Sequence, residues 1–506
     1  MSEEQFQKLL RRVQQVADIG GAAALLSWDQ RTLMPPLGRP VRAERLATLA
    51  GLAHQIFTSD ETGALLEQAQ PHVESFSEES FERSLWRLVK RNYDKLKRIP
   101  TELSQDLQRA GNLGYEAWHT SRASSDYSRF HPALARNIDL NKQVLDIHRG
   151  AIPDIEDHYD ILLDDYEPGM KTSDITRVFD RLKEATKPLV QQVVENGGKG
   201  RDRLVHGHFP TRKQDALVRS VVQQLGFTDD AWRLDVTPHP FASAMGTSDI
   251  RITTKFEEDF INPAFFGTMH EFGHGLYEHQ VSPDLERTPL ARGASMMWHE
   301  SQSRMWENLV GRGRPFWTWA MPKVQDVFPD QFGAADADEM YRAVNAMGPS
   351  LIRIEADELT YNLHIIIRFE LERDLYSGAV SPADLPEAWN TKIREYLNID
   401  VPNDAQGVLQ DVHWGSGSFG YFPTYALGNV LGAMLWERIL TENPGIEGSF
   451  ENGEFGQLRE WLRENVHRHG RKYMPMDLLE KVLGVRQIEA EPLVSYLTNK
   501  VNELYP

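Results

Sequence analysis

Five residues near the middle of this 506-residue chain constrain it more than any others: His270-Glu271-Phe272-Gly273-His274, inside the stretch FINPAFFGTMHEFGHGLYEHQ from Phe260 to Gln280. Asn262 followed by Pro263 predicts a helix start, because the Asn side chain accepts from a free backbone N–H and proline gives up a donor that has no partner in a first turn. Within a helix, positions i and i+4 lie one above the other, so both imidazoles face one point while Glu271 is carried beside them. That is the H-E-x-x-H arrangement of a zinc hydrolase, two ligands and a general base on one element. The plain alternative is a buried helix whose histidines only satisfy core hydrogen bonds. Gly267, Gly273 and Gly275 weigh against it: each costs about 1 kcal/mol relative to alanine inside a helix and is expected where another backbone or a ligand comes close.

A catalytic zinc site needs three protein ligands and an open position for water. The pattern that adds a third histidine further along the same helix is closed, because its glycine position is Tyr277 and its histidine position is Gln280. Glu278 stands eight residues after His270, about 12 Å along the axis, too far for both to reach one ion. The predicted third ligand is Glu300, in GASMMWHESQSRMWENLVG, an amphipathic pattern that offers Met297, Trp298, Met305, Trp306 and Leu309 for burial. Arg304, one turn later, is placed to hold the carboxylate. An ordinary surface pair between Glu300 and Arg304 is the alternative. For His299, support of a ligand, contact with substrate and simple packing all stay open.

The rest of the chain reads as one mainly α unit spanning 1–506, with a helical half over about 1–230 and an active-site half over about 231–506. Helical periodicity fills the first half, with breaks at Met34-Pro35-Pro36, Glu167-Pro168-Gly169 and Asn196-Gly197-Gly198. LLSWDQRTLMPP, a polar-aromatic cluster at a helix end, is expected to fix a turn. Ahead of the active-site helix the period falls to two, with Trp232, Leu234 and Val236 and then Ile250 and Ile252 alternating with polar residues. This predicts a small β-hairpin, whose edge could pair with an extended peptide or whose polar face could simply be solvated. Beyond Glu300, LIRIEADELTYNLHIIIRFELERDLYSG reads as one long helix closed by Gly378, and Ser381-Pro382-Ala383-Asp384 as the cap and first turn of the next. The Gly- and aromatic-rich stretch after Gly407 is where a binding loop is expected. His467 and His469, near a late helix end, are expected to be dipole partners rather than ligands.

A net charge of −19 argues against a nucleic-acid surface. The amino terminus MSEEQFQKLLRRVQQ has neither the basic region nor the apolar core of a secretory signal, and no apolar run is long enough to span a bilayer, so a cytoplasmic protein without a membrane partner is expected. With no cysteine, no disulfide staples the fold and zinc ligands must be His or carboxylate.

Six motifs in order carry a family resemblance: His239-Pro240-Phe241; Asp249-Ile250-Arg251-Ile252-Thr253; His270 to His274; His299-Glu300-Ser301-Gln302; Ile352-Arg353-Ile354-Glu355-Ala356-Asp357; and Gly407-Val408-Leu409-Gln410-Asp411-Val412-His413-Trp414. The set resembles the M32 metallocarboxypeptidases, the thermostable carboxypeptidase Taq family, over the whole chain. The resemblance implies a helical, gluzincin-like fold with a long groove and little sheet, a homodimer, and zinc- or cobalt-supported removal of single residues from peptide C-termini with broad specificity. His270, His274 and Glu300 are then the metal ligands and Glu271 the base. An exopeptidase must also hold the terminal carboxylate, best with an arginine. Arg353 is the first choice, against a plain salt bridge to Asp357, and Arg251 the second. His239 is a further substrate-contact candidate, and His413, Tyr421 and Tyr425 are candidates for oxyanion or substrate contacts, with plain packing as the alternative. Two other functions compete: a zinc oligopeptidase or dipeptidyl carboxypeptidase using the same motif, and a non-catalytic helical protein that keeps a metal for stability, against which an intact Glu271 speaks.

Overall fold

In the computed structural model, which describes residues 2–151 and 155–506, helices build most of the chain. The first helix, α1 (Ser2–Thr32), runs 31 residues and folds back on α2 (Arg39–Phe57), the turn between them falling at Met34-Pro35-Pro36. Salt bridge Arg42–Asp29, 2.6 Å, pins the two together. Helices α3 (Asp60–Val73) and α4 (Phe81–Arg98) close a satellite core with α1, made by Phe6, Leu9, Leu66, Val73, Leu85 and Val89 and completed by Val281, Leu285 and Leu290 from beyond the active-site helix. A second, continuous core runs from Trp118 to Tyr505 and crosses residue 230 without a seam. Among the described residues, no helix is long and apolar enough to cross a membrane.

The sheet has three strands, β1 (Trp232–Val236), β2 (Ala242–Gly246) and β3 (Asp249–Thr254), in the order β1-β3-β2. The predicted hairpin is therefore corrected. β1 and β3, whose alternation was legible, lie parallel, with Trp232 opposite Ile250 and Leu234 opposite Ile252. The antiparallel hairpin is β2–β3. β2 reads ASAMG, without the branched or aromatic residues that announce a strand, so its partner gave the stronger signal. The apolar faces of β1 and β3 cover the active-site helix, which spans Asn262–His279. Trp28 of α1 is buried on the polar side, with the guanidinium groups of Arg233 and Arg251 over its ring, so the LLSWDQ cluster clamps α1 across the sheet.

Three local expectations shift. Asn262 does not cap the active-site helix; Ile261 holds that position and Asn262 is already in the first turn. The segment expected as one long helix from Leu351 is a short turn at Arg353–Glu355 followed by a helix over Tyr361–Ser377, which Gly378 ends at φ 83°. Asp357 breaks it by accepting from the backbone of Leu359 and Thr360, a local bond that competes with continuing the helix. Ser381 to Asp384 closes its own turn, Ser381 Oγ donating to Asp384 at 2.6 Å, and the next helix starts at Leu385.

Candidate active site

The active-site helix crosses a second helix, Met296–Arg304, with their backbones in contact. A Cβ at Gly273 would stand 2.5 Å from the Gln302 carbonyl oxygen, so only glycine permits the crossing. Gly275 makes room for Trp232 in the same way, while Gly267 meets only the edge of Pro240. From the far side the Pro423–Glu442 helix closes in at Gly428, where a Cβ would stand 2.5 Å from Glu300 Cβ. These two contacts set where the Glu300 side chain can go.

The result brings His270, His274 and Glu300 together, one donor atom of each within 4.8 Å of the others. His270 Nε2 and His274 Nε2 lie 3.7 and 3.5 Å from the same oxygen, Glu300 Oε2. Their other ring nitrogens are engaged from behind. His270 Nδ1 is 2.9 Å from Glu307 Oε2, and His274 Nδ1 is 3.1 Å from His299 Nδ1, whose Nε2 is 2.6 Å from Glu278 Oε1. With carboxylate acceptors at both ends, Nδ1 of each inner histidine carries the proton and Nε2 presents a lone pair to the shared point. Two imidazole nitrogens and one carboxylate oxygen form a donor set suited to zinc or cobalt and leave room for a fourth position.

Electrostatics hold Glu300 and His274 in their binding form, whereas the Glu300 and Glu307 carboxylates outweigh burial and raise His270, so a cation must displace a proton there. Burial opposes ionisation of Glu300, but Arg304, with Nε 2.7 Å from Glu300 Oε1, and His270 outweigh it and hold the carboxyl well below its ordinary range. Glu307 is held near 2 against burial by Arg304, Nη1 at 3.0 Å from Oε2, and by His270. Burial pulls His274 down to about 4, so its ring is neutral. Glu271 behaves in the opposite way. Burial pushes it up to about 7, and its carboxylate has no hydrogen-bond partner among the described residues. It faces a cavity of about 530 Å³ that also exposes His270, His274, Glu300, Tyr421 and Tyr425, with Ala242 to Ala244 of β2 along one side.

Set beside known proteins, the chain matches the Carboxypeptidase Taq (M32) metallopeptidase family over residues 7–501. It is 39% identical to Carboxypeptidase 1 of Bacillus subtilis (strain 168), covering 99% of this chain and 98% of that one, and 39% identical to Thermostable carboxypeptidase 1 of Thermus thermophilus over 99% of each. The crystal structure of the M32 carboxypeptidase from Deinococcus radiodurans R1 superimposes with a TM-score of 0.95 at 38% identity, covering 99% of both chains. The chain belongs to the M32 metallocarboxypeptidase family.

In this M32 carboxypeptidase the other sequence candidates divide between the cavity wall and its surroundings. Tyr421 and Tyr425 line the cavity. His413 stands just behind, Nε2 3.4 Å from the Tyr425 hydroxyl. Arg353 is buried and does not bond Asp357: Nε and Nη2 lie 3.1 and 2.7 Å from Asp411 Oδ1, and Nη1 donates to Tyr361 at 3.0 Å. Arg368 takes the other oxygen of Asp411. Arg251 pairs with Asp249 under Trp28, and His239 is exposed outside the wall, to which its neighbours Pro240 and Phe241 contribute. His299 supports His274 and also lines the cavity, so simple packing is removed and contact with substrate stays open beside that role. His467 is no dipole partner: it is buried between the side-chain amides of Gln280 and Gln302, tying the C-terminal region to both site helices.

Sequence reasoning missed Glu307 and the work of Glu278. Glu307 follows Arg304 by three residues and Glu300 by seven, spacing that predicts a shared helix face, and it lies within a widened π turn, Met305–Val310. Glu278, excluded as a ligand on distance, is the acceptor that orients His299.

Proposed function

We propose that this enzyme releases single amino acids from the C-termini of peptides with broad specificity, using zinc or cobalt held by His270, His274 and Glu300, and Glu271 as general base. One observation carries the reading: a buried carboxylate without a protein partner, raised to about 7, faces the same cavity as the three donors. A purely structural metal site has no use for such a group.

A bound divalent cation supplies Lewis acidity to the scissile carbonyl and the attacking water. Glu271 accepts the water proton at its carboxylate and returns it to the departing amine nitrogen, and a carboxyl near 7 suits both transfers at neutral pH. The hydroxyls of Tyr421 and Tyr425, which line the same cavity, are donors for the developing oxyanion. Burial pushes Tyr421 up to about 12 and raises Tyr425 as well, so both keep their protons. His413, lowered to about 4 by burial, is neutral behind Tyr425 and positions it. Around Asp411, two arginines share one carboxylate, leaving a net positive charge beside Tyr361 and Tyr425. That surplus supports Arg353 as the group that attracts the terminal carboxylate. The outer edge of β2 is suited to pair with an extended substrate.

A homodimer and a cytoplasmic location complete the reading. Leu25, Leu33, Leu37, Val41 and Leu52, exposed on α1, α2 and the turn between them, offer a second copy an apolar face, and α2 buries no residue within the monomer. Light scattering tests the first and cell fractionation the second.

The deciding experiment digests matched peptides, free and amidated at the C-terminus, with metal-loaded enzyme and with Glu271→Gln, and reads products by mass spectrometry. Stepwise single-residue loss confined to free carboxylates and absent in the variant is expected. Internal cuts in both sets would make the enzyme an oligopeptidase. Undiminished turnover by Glu271→Gln would remove the base.

A further inference from the structure

Among the residues lining the 530 Å³ cavity, Arg292 is the one arginine or lysine. Its side chain is 44% exposed, and only Nη1 is engaged, 3.0 Å from the Ala244 carbonyl oxygen of β2 and 3.3 Å from Glu278 Oε2. Nε and Nη2 have no hydrogen-bond partner among the described residues. Glu278 does not consume the remaining donors, since Gly293 N and His299 Nε2 occupy its other oxygen at 3.0 and 2.6 Å. Arg292 is thus fixed at one corner of its guanidinium and presents the rest to the cavity, a geometry suited to a carboxylate.

Its position relative to the metal donors follows from a chain of contacts. Arg292 meets Glu278, Glu278 meets His299, and His299 meets His274. From the other histidine a separate chain runs from His270 to Glu307, Glu307 to Arg304, Arg304 over the Tyr361 ring at 4.4 Å, and Tyr361 to Arg353. Arg292 is thus linked to the metal group through His274, the more C-terminal of the two histidines on the active-site helix, and Arg353 through His270, one turn earlier. If the Arg353 end receives the terminal carboxylate, which rests on the functional reading above, Arg292 faces the part of the peptide upstream of the scissile bond. There the carboxylate it meets belongs to a side chain.

We propose that Arg292 is a specificity-determining residue that selects peptides carrying Asp or Glu upstream of the bond to be cut. It touches substrate but takes no part in proton transfer. The guanidinium donors left free at Arg292 attract an acidic side chain and repel a basic one.

The test uses metal-loaded full-length enzyme and peptide sets in which each of the three residues upstream of the cut is Glu, Gln or Lys in turn, free or amidated at the C-terminus. The readout is the ratio of kcat/KM for Glu over Lys at each position, which cancels any general loss of activity in a variant. Wild type is expected to favour Glu over Lys at least tenfold at one upstream position, Arg292→Lys to keep most of that preference, Arg292→Gln to bring the ratio near one, and Arg292→Glu to invert it. A wild-type ratio near one at every position, or a preference that survives Arg292→Gln, overturns the proposal. If Arg292→Gln instead erases discrimination between free and amidated peptides, Arg292 holds the terminal carboxylate and the proposed upstream role fails. Failure of the exopeptidase reading shows separately, as internal cuts in amidated wild-type digests.

Discussion

Glu307 never touches the cavity, yet it should control how tightly the metal is held. Its Oε2 accepts from His270 Nδ1 at 2.9 Å and from Arg304 Nη1 at 3.0 Å, while Oε1 faces Arg312 Nη2 at 3.7 Å. Glu307→Ala removes the acceptor that fixes the His270 ring and tautomer, and it leaves the buried Arg304 charge to Glu300 alone. Arg304 would then draw harder on the carboxylate that must also serve the metal. Loss of such supporting partners costs about 10–100-fold in metal affinity, or about 1.4–2.7 kcal/mol. Glu307→Gln should lie at the mild end, because the amide oxygen can keep the place of Oε2, although its NH2 then faces the Arg312 guanidinium. The assay is competition with a fluorescent chelator for zinc, paired with kcat at saturating metal. We expect the affinity order wild type, Glu307→Gln, Glu307→Ala, and kcat within about threefold of wild type once the site is filled, since a group acting through a ligand should be rescued by excess metal. Zinc affinity of Glu307→Ala within threefold of wild type would refute the reasoning. So would a kcat at saturating zinc as low as that of Glu271→Gln, for then Glu307 would act on the reaction rather than on the site.

Four further outcomes follow from the same geometry. Gly428→Ala forces a methyl to 2.5 Å from Glu300 Cβ, so urea unfolding should show a loss of about 1–3 kcal/mol together with reduced metal stoichiometry. Glu167, fully buried beneath the Met296–Arg304 helix, accepts from the Met297 backbone and has a carboxyl pushed to about 8 by burial. A value above the ordinary 4.5 means that the folded protein holds the proton more tightly, so stability should fall by about 1.4 kcal/mol per pH unit at most between roughly pH 4.5 and 8. Glu167→Gln should flatten that slope, and an unchanged slope would assign it elsewhere. Metal present at a hundred times its dissociation constant should raise the unfolding free energy by about 2.7 kcal/mol, an increment that His274→Ala abolishes and Glu271→Gln preserves in denaturant titrations. Arg353→Ala should raise KM for free-carboxylate peptides at least tenfold, while equal KM values would move carboxylate recognition elsewhere.

Much of the site was legible in the sequence because it is local. The i, i+4 spacing that stacks His270 on His274 holds in any helix, and Glu271 travels with them wherever the helix goes. The same spacing links Glu300 to Arg304, and the run of six motifs was enough to suggest the family. Sequence also marked the backbone breaks at Pro35-Pro36 and Gly378, where the chemistry of single residues decides conformation. What it could not show are contacts that depend on which surfaces meet. The parallel pairing of β1 with β3 is one, since a period of two is the same in either direction. Arg353 bonds Asp411 rather than Asp357 because a helix break swings the two nearer residues apart and tertiary packing brings the distant one in. Glu278, Glu307 and Arg292 gained their places in the same way, from tertiary contacts with His299, His270 and β2. The ligands and the base are a property of one helix and its neighbour in sequence; the groups that orient them, and the charges beside the cleft, take their places only through tertiary contacts.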